Sequence, residues 1–488
     1  MGGGLLQLVS IGFQDLYLSS DPEITYFKMV YRRHTNFSQE PVVQNFNIIP
    51  DFGKRITCSI AHTADLISNI YLHIQLPNIP ISTSKIDKFK WVKKIGFALI
   101  NNVELEINGQ LIDKLYGDWM NIWSILSTTQ DIVSENILIG NVPDLYDYSD
   151  SKSSYNLYIP INFYFNRNKG LSLPVISLHS SDIKLNVELN KLDDVLVASP
   201  SNYIEIEEYI VHFNEGDIIK QNVGGKEVVG IFNYYDFKTN RLYYTKYESS
   251  FDYFKSDSKY NESSYKISNS SGYCVMPKSG EFSYSVSYPN LSINKANLIV
   301  NFLYLDNLER KKFINSKHEY LISTLQFSGE KTISNIHTKV KLPFINPSKE
   351  LFWVCQLSKI KNGNIKEKFN YTSELNYSGN NIIEKSMILN NGQVKSSDNN
   401  KYFYSYLQSY LHHTSNIEEG INIYSFSLDP ENSQPMGTIN FSKIDDLSLD
   451  LSLSSIISYN NPALLRVYNY NYNILRISNG LGGLAFTN

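Results

Sequence analysis

Strict two-residue alternation of apolar and polar side chains is the feature that most constrains this chain. Val103, Leu105 and Ile107 are separated by Glu104 and Glu106, and Ile183, Leu185, Val187 and Leu189 by Lys184, Asn186 and Glu188. Successive side chains of a strand point to opposite faces, so each stretch predicts a strand with one face in a core and the other toward solvent. Leu447, Leu449, Leu451 and Leu453 repeat the pattern around Ser448, Asp450 and Ser452 near the other end of the chain. Further β-rich stretches are Val42 to Ile49, Ile56 to Ala61, Leu66 to Leu76, Tyr158 to Phe165, Leu171 to Leu178, Leu298 to Leu305, His337 to Phe344, Leu351 to Leu357 and Asn422 to Leu428. Helical patterns are few and short: Asp118 to Ser127, Asn307 to Ile314 and Tyr402 to Leu411. The 36 Tyr and 53 Asn agree, because that pairing favours pleated strands joined by turns and long loops. Many short strands in 488 residues predict two sandwiches rather than one.

An internal match supports the pair. Ile107-Asn108-Gly109-Gln110 precedes the aromatic segment Tyr116 to Ile125, and Asn390-Asn391-Gly392-Gln393 precedes Tyr402 to Leu411. Each Asn-Gly predicts a tight turn at positive φ, followed by a loop and a helix. Asn-Gly is common in any Asn-rich chain, so the pair alone does not decide the matter. Between these halves lies a tract rich in Tyr, Ser, Asn and Lys, too aromatic for a linker, which predicts an ordered excursion from one end of a sandwich. Asp306-Asn307-Leu308-Glu309-Arg310-Lys311-Lys312 puts acid before base, as a short helix prefers, and marks the boundary.

The search for chemistry returns little. The 44 Lys plus Arg against 48 Asp plus Glu give a net charge of −4, which supplies no general field for nucleic-acid phosphates. Cys58, Cys274 and Cys355 lie too far apart for a disulfide framework or a four-thiolate zinc site, which points to a reducing compartment. The opening MGGGLLQLVSIGFQDLYL lacks the basic start of a secretory signal, no apolar run is long enough to span a bilayer, and Leu6 stands where the myristoylation pattern wants Ser or Thr. No phosphate-binding glycine loop or HExxH helix is present, since His318-Glu319 is followed by Tyr320-Leu321-Ile322. His412-His413 near Glu418 and Glu419 reads as the polar end of an aromatic helix, because adjacent His side chains diverge. Arg32-Arg33-His34 forms a local basic cluster that suits a phosphate or a subunit contact. Asp193-Asp194 and Asp445-Asp446 read as turn or strand-end residues. No catalytic, cofactor-binding or metal-ligating residue is therefore assigned. Of the sequons at Asn36, Asn261, Asn269, Asn290, Asn370, Asn376 and Asn440, the candidate glycosylation sites are Asn261, Asn269 and Asn290, which matter only in a glycosylating compartment.

A resemblance then covers the chain. Gly3-Gly4-Leu5-Leu6-Gln7-Leu8-Val9, Gln14-Asp15-Leu16-Tyr17-Leu18 and Ile24-Thr25-Tyr26-Phe27-Lys28-Met29-Val30-Tyr31-Arg32-Arg33-His34-Thr35-Asn36-Phe37 closely resemble the major capsid proteins of the nucleocytoplasmic large DNA viruses. In family order follow Phe165-Asn166-Arg167-Asn168-Lys169-Gly170-Leu171-Ser172-Leu173-Pro174, with Lys169 where a proline is common, and Tyr304-Leu305-Asp306-Asn307-Leu308-Glu309-Arg310-Lys311-Lys312-Phe313. Lys349-Glu350-Leu351-Phe352-Trp353-Val354, Gln434-Pro435-Met436-Gly437-Thr438 and Asn471-Tyr472-Asn473-Ile474-Leu475-Arg476-Ile477 also match, whereas about 202–290 is weakly covered.

This resemblance implies an all-β fold of two consecutive eight-stranded jelly-roll sandwiches, a double jelly roll, with short helices and long loop insertions. It divides the chain into an N-terminal arm (1–25), jelly roll 1 (26–306) with an insertion at about 202–290, a linker (307–317) and jelly roll 2 (318–488). It also implies a structural, non-enzymatic role. Three copies would form a pseudo-hexagonal capsomer tiling the icosahedral shell of a virion assembled in the host cytoplasm. The implied partners are the chain itself, neighbouring capsomers, minor capsid and penton proteins, and internal membrane proteins, with no cofactor and no direct sequence-specific nucleic-acid binding. The competing readings are a membrane-shaping scaffold with the same fold and a glycan-processing β-sandwich enzyme, which would need two carboxylates about 5 to 10 Å apart.

Overall fold

A computed structural model describes residues 3–81, 87–127, 132–207, 211–246, 253–256, 265–286, 288–363, 365–375, 377–415 and 417–486. Its organising unit is a set of eight strands: β1 (Phe37–Asn45), β2 (Arg55–Ser59), β3 (Leu66–Leu76), β4 (Ile100–Ile107), β5 (Gln110–Tyr116), β6 (Tyr155–Pro160), β7 (Ile183–Leu189) and β8 (Lys295–Leu305). They pair antiparallel in two four-stranded sheets, in the orders β1-β8-β3-β6 and β2-β7-β4-β5. Leu72 and Ile74 of one sheet and Val103, Leu105, Leu185 and Val187 of the other share one core, so the alternating residues meet face to face.

The second roll repeats the plan. Its strands are β9 (His318–Phe327), β10 (His337–Lys341), β11 (Pro347–Leu357), β12 (Ile383–Asn390), β13 (Gln393–Asn400), β14 (Ile421–Ser425), β15 (Leu447–Leu453) and β16 (Ala463–Ser478). The sheet orders are β9-β16-β11-β14 and β10-β15-β12-β13. Adding eight to each label of the first roll reproduces them, and each roll is an eight-stranded jelly roll. Short strands at 331–333, 439–440 and 481–484 extend the first of these sheets.

The two Asn-Gly pairs occupy the same turn in each roll, β4–β5 and β12–β13. Asn108 and Gly109 have φ of 52° and 76°, and Asn391 and Gly392 have 50° and 76°. Consecutive positive φ values make the two-residue hairpin turn whose twist matches the strands it joins. A helix follows each hairpin directly: α1 (Gly117–Ser127) in the first roll, and residues 401–412 in the second, where a π-turn at Phe403–Leu407 runs into α2 (Gln408–His412). Between the rolls, Asp306 caps the helix Asn307–Asn315 by accepting from the backbone amides of Leu308 and Glu309.

Two expectations need correction. Leu171 to Leu178 is not a strand but the two 3-10 turns Lys169–Leu171 and Val175–Leu178, held by Asn168, which accepts from the Gly170 amide, and broken by Pro174. The strand expected at Tyr158 to Phe165 stops at Pro160 and gives way to a helical turn at Tyr164–Arg167. The insertion is ordered, as its aromatic content predicts. It folds as a seven-stranded sheet between β7 and β8, with its own core of Ile204, Ile219, Phe232, Leu242, Tyr244 and Ile267.

Gly117 opens α1 so close to neighbouring backbone that an added Cβ would lie 2.2 Å from the Phe97 carbonyl oxygen and 2.3 Å from that of Ile100. A Cβ at Gly109 meets nothing within 4 Å and would suffer only from its positive φ. Gly117→Ala is therefore expected to cost about 3 kcal/mol or more, against about 1 kcal/mol for Gly109→Ala. Denaturant unfolding of the two variants checks the order, and equal losses would contradict the packing at Gly117.

Candidate functional site

The side chains that do most in this molecule lie where one roll meets the other. The middle of β11, Leu351 to Cys355, reads as a continuous apolar run because both of its faces are covered. Leu351, Trp353 and Cys355 enter the core of the second roll, while Phe352 and Val354 belong to the core of the first. Trp119 of α1 stands edge-on to Phe352 with ring centroids 4.8 Å apart, and Trp123 lies 5.1 Å from Tyr470. Tyr116 at the end of β5 meets Phe327 at 4.8 Å. Arg167 stacks 4.2 Å over Trp123 and donates to the Tyr470 hydroxyl.

Charge fixes the register of this seam. Asp118 accepts from the hydroxyls of Tyr371 (2.6 Å) and Tyr468 (2.9 Å) and pairs with Arg466 Nη1 at 2.9 Å. Arg466 is buried, and its other terminal nitrogen donates to Gln356 Oε1. Asp113 accepts from the Leu325 amide at 3.0 Å. Burial pushes its carboxyl up to about 6, against the opposing amides of Leu325 and Lys114 and the charge of Arg167. Lys94–Glu418, at 3.1 Å, bridges the rolls at the rim.

The residues singled out from sequence do not converge on a reaction centre. His413 turns away from Glu418 and Glu419 and sits between Glu350 and Glu431, each 2.9 Å from a ring nitrogen, with its side chain fully buried. His412 contacts the Leu428 carbonyl, Glu418 takes Lys94, and Glu419 takes the Asn381 amide and the Tyr406 hydroxyl. Asp194 pairs with Lys368, and Asp446 with Lys341. Cys58 and Cys355 are buried and Cys274 is exposed. Among the described residues, no group of three or more His, Cys, Asp or Glu is placed to hold a metal, and no helix is long and apolar enough to cross a membrane. Asn261 lies outside the described residues. Asn269 is buried, donating to Asp217 and accepting from the Tyr273 amide, so its folded side chain is not available to a glycan, while Asn290 is exposed.

The N-terminal segment differs from everything else. Residues 3–36, ahead of β1, are exposed throughout, including the Arg32-Arg33-His34 cluster. The exposed stretch thus runs past residue 25, and it is not simply extended, since Gly3–Val9 and Leu16–Ser19 are helical. Phe13, Tyr17, Leu18, Tyr26, Phe27 and Met29 are all about nine-tenths exposed or more. So many exposed apolar side chains in one stretch suit a segment made for contact.

Comparison with known proteins agrees with this geometry. Residues 25–223 match a family profile described as the major capsid protein N-terminus, and residues 309–483 one described as the large eukaryotic DNA virus major capsid protein. The chain is 40% identical to probable capsid protein 4 of Acanthamoeba polyphaga mimivirus over 100% of this chain and 99% of that one. It is 32% identical to the major capsid protein of Pyramimonas orientalis virus, with both chains fully covered. Among solved structures, the PBCV-1 virus capsid superposes with a TM-score of 0.65 at 23% identity, covering 95% of this chain and 100% of that one. The Faustovirus major capsid protein gives 0.69 at 12% identity, covering 96% and 94%.

His413 supplies a test of the buried chemistry. Burial alone would lower its pKa, but Glu350 and Glu431 outweigh that and hold it up at about 10. A folded value above the unfolded one, near 6.5, means that its stabilisation is complete below about pH 6.5 and is lost as pH rises through about 10. Stability is expected to fall across that window. His413→Gln should lower stability at pH 7 by about 3 kcal/mol, by leaving Glu350 without its cation, and should flatten the pH dependence. An unchanged slope in the variant would show that another group titrates there.

Proposed function

This chain belongs to the major capsid protein family of large eukaryotic DNA viruses, and from that premise we propose that three copies associate into a pseudo-hexagonal capsomer that tiles an icosahedral shell. The role is structural rather than catalytic, and its place is the capsid of the virion. The observation that carries the trimer is the repetition of one strand order in two rolls held as a single block, so that three chains present six like sandwiches.

The divisions of the chain follow the same reading. Residues 1–25 act as an arm toward a neighbouring subunit, 26–306 form the first roll, 307–317 the linker and 318–488 the second roll. The exposed apolar surface of residues 3–36 supports a role in contact for the arm and the segment after it. The sheet inserted between β7 and β8 sits on the outer crown of the capsomer, where Asn290 is the sequon best placed for a glycan. The remaining partners are adjacent capsomers, minor capsid and penton proteins, and proteins of an internal membrane, with assembly in the host cytoplasm. Shells of this kind need obligate interfaces, which commonly exceed about 2,000 Å² and are more apolar than transient ones.

The solution mass of the untagged protein across a dilution series tests the assembly. A species of three times the 56.0 kDa chain, insensitive to dilution, is expected. A persistent monomer would count against self-assembly of this chain. Removal of residues 1–25 should leave the thermal midpoint within a few degrees and reduce assembly of capsomers into larger arrays. Unfolding of that truncated chain would make the segment part of the core instead.

A further inference from the structure

Two lysines precede the buried helix Ile95–Leu99, and the second is held in a conformation that lysine rarely adopts. Lys94 has a φ of 51°, and its carbonyl accepts from the amides of Phe97 and Ala98 to start the helix. Left-handed backbone strains a residue with a side chain where glycine would be at ease, and such strain gathers at places where a side chain must be aimed. Packing sets the target. Gly117 lets α1 lie directly against the Phe97 carbonyl, and Asn121 follows one turn later on the same face of α1. There Lys94 Nζ donates to Asn121 Oδ1 at 2.8 Å.

Asn121 is fully buried, and among the described residues its amide nitrogen makes no hydrogen bond of good geometry. A buried amide donor left in that state calls for an explanation. The third group comes from the other roll. Glu418 Oε1 lies 3.1 Å from the same Nζ, at the rim, where its side chain is half exposed. An amine, a buried amide and a carboxylate are thus gathered around one nitrogen atom. The Asn121 amide carbon is a single C=O bond beyond Oδ1, which places it within about 4 Å of Lys94 Nζ.

We infer that Lys94 and Asn121 join in an isopeptide bond once the two rolls have docked. Glu418 takes a proton from the Lys94 ammonium, and the freed amine attacks Asn121 Cγ. The Nζ–Cγ bond forms, Glu418 carries protons from Nζ to Nδ2, and the Cγ–Nδ2 bond breaks. A charged lysine and a neutral amide become a neutral secondary amide and one ammonium ion, and Glu418 ends as it began. No oxidant or further reactant is needed. Since Glu418 belongs to the second roll, a chain whose rolls have not met lacks the base. The product closes a loop from residue 94 to residue 121 and fixes α1, which carries Trp119 and Trp123 into the seam. The chain modifies itself once, without turnover, and the chemistry lies within one copy, so it is independent of the self-association proposed above.

The test is the intact mass of the folded, full-length chain followed over several days, together with a peptide map. The parent should become one ammonia lighter than its sequence, and digestion should release a branched peptide that joins Lys94 to Asn121. Lys94→Arg keeps the charge but removes the nucleophile, and should retain the full mass. Glu418→Gln, at a half-exposed position, should leave circular dichroism unchanged and slow the loss at least about a hundredfold. Parent chain held in denaturant should form no branched peptide. A folded parent that keeps its full mass, with Lys94 and Asn121 in separate peptides, would overturn the inference. So would an ammonia loss that persists in Lys94→Arg, since Asn121 would then be cyclising onto its own backbone. A Glu418→Gln chain that cross-links as fast as the parent would overturn the dependence on docking.

Discussion

A sheet that is apolar on both faces cannot stand alone in water, and the second roll is built on one. Along β11 the odd-numbered residues Leu351, Trp353 and Cys355 fill one core, and Phe352 and Val354 fill the other. The first roll is thus the lid on the second as much as its neighbour. Trp119 and Trp123 supply area and shape, and the Asp118–Arg466 pair, with its tyrosine hydroxyls, decides where the lid sits. Such a pair adds little net stability over a packed apolar equivalent, but losing either partner strands a buried charge. The two rolls therefore move as one body, which is what a tile requires.

Around that block, the molecule varies where variation is cheap. The inserted sheet hangs from one end of the first roll and carries its own apolar core. Buried lysines tie it down: Lys88 reaches Asp236, and Lys90 reaches Glu215 and lies over the ring of Tyr148. A row of aromatic rings through Tyr148, Tyr234, Tyr243 and Tyr203 continues the attachment into the insertion. End loops with private cores can change without disturbing the sandwich beneath them.

Strands with one apolar and one polar face were legible because they must alternate, which is why β4, β7 and β15 could be read directly. β11 was readable as a strand, but nothing local revealed that its second apolar face belonged to another roll. Trp119 and Trp123, four apart on one helix, were the available sign that α1 had something large to cover. Arg466 gave no such sign, since its partner Asp118 lies in the other roll. The His412-His413 pair misled in the same way: the acids nearest in sequence, Glu418 and Glu419, are not those that touch His413. At Leu171 to Leu178 the apolar run was real, but Pro174 and the Asn168 turn removed the backbone pairing a strand needs. The short strands of the insertion escaped notice because many of their residues are Tyr, Ser, Asn and Lys rather than an apolar stripe.

The place of β8 also bears on how such a chain is made. It is an inner strand of the first sheet, lying between β1 and β3 with every residue of β1 paired to it, yet it comes after the whole insertion in the chain. Until the ribosome has delivered residue 305, β1 has no partner and one edge of β3 stays open. Long-range pairing of this sort is slow, and open edges invite strands from other chains. The chain is thus most open to pairing with its own copies before its first roll is complete, and the inserted sheet, which can close on its own contacts, shortens the length of loose chain that β8 must cross.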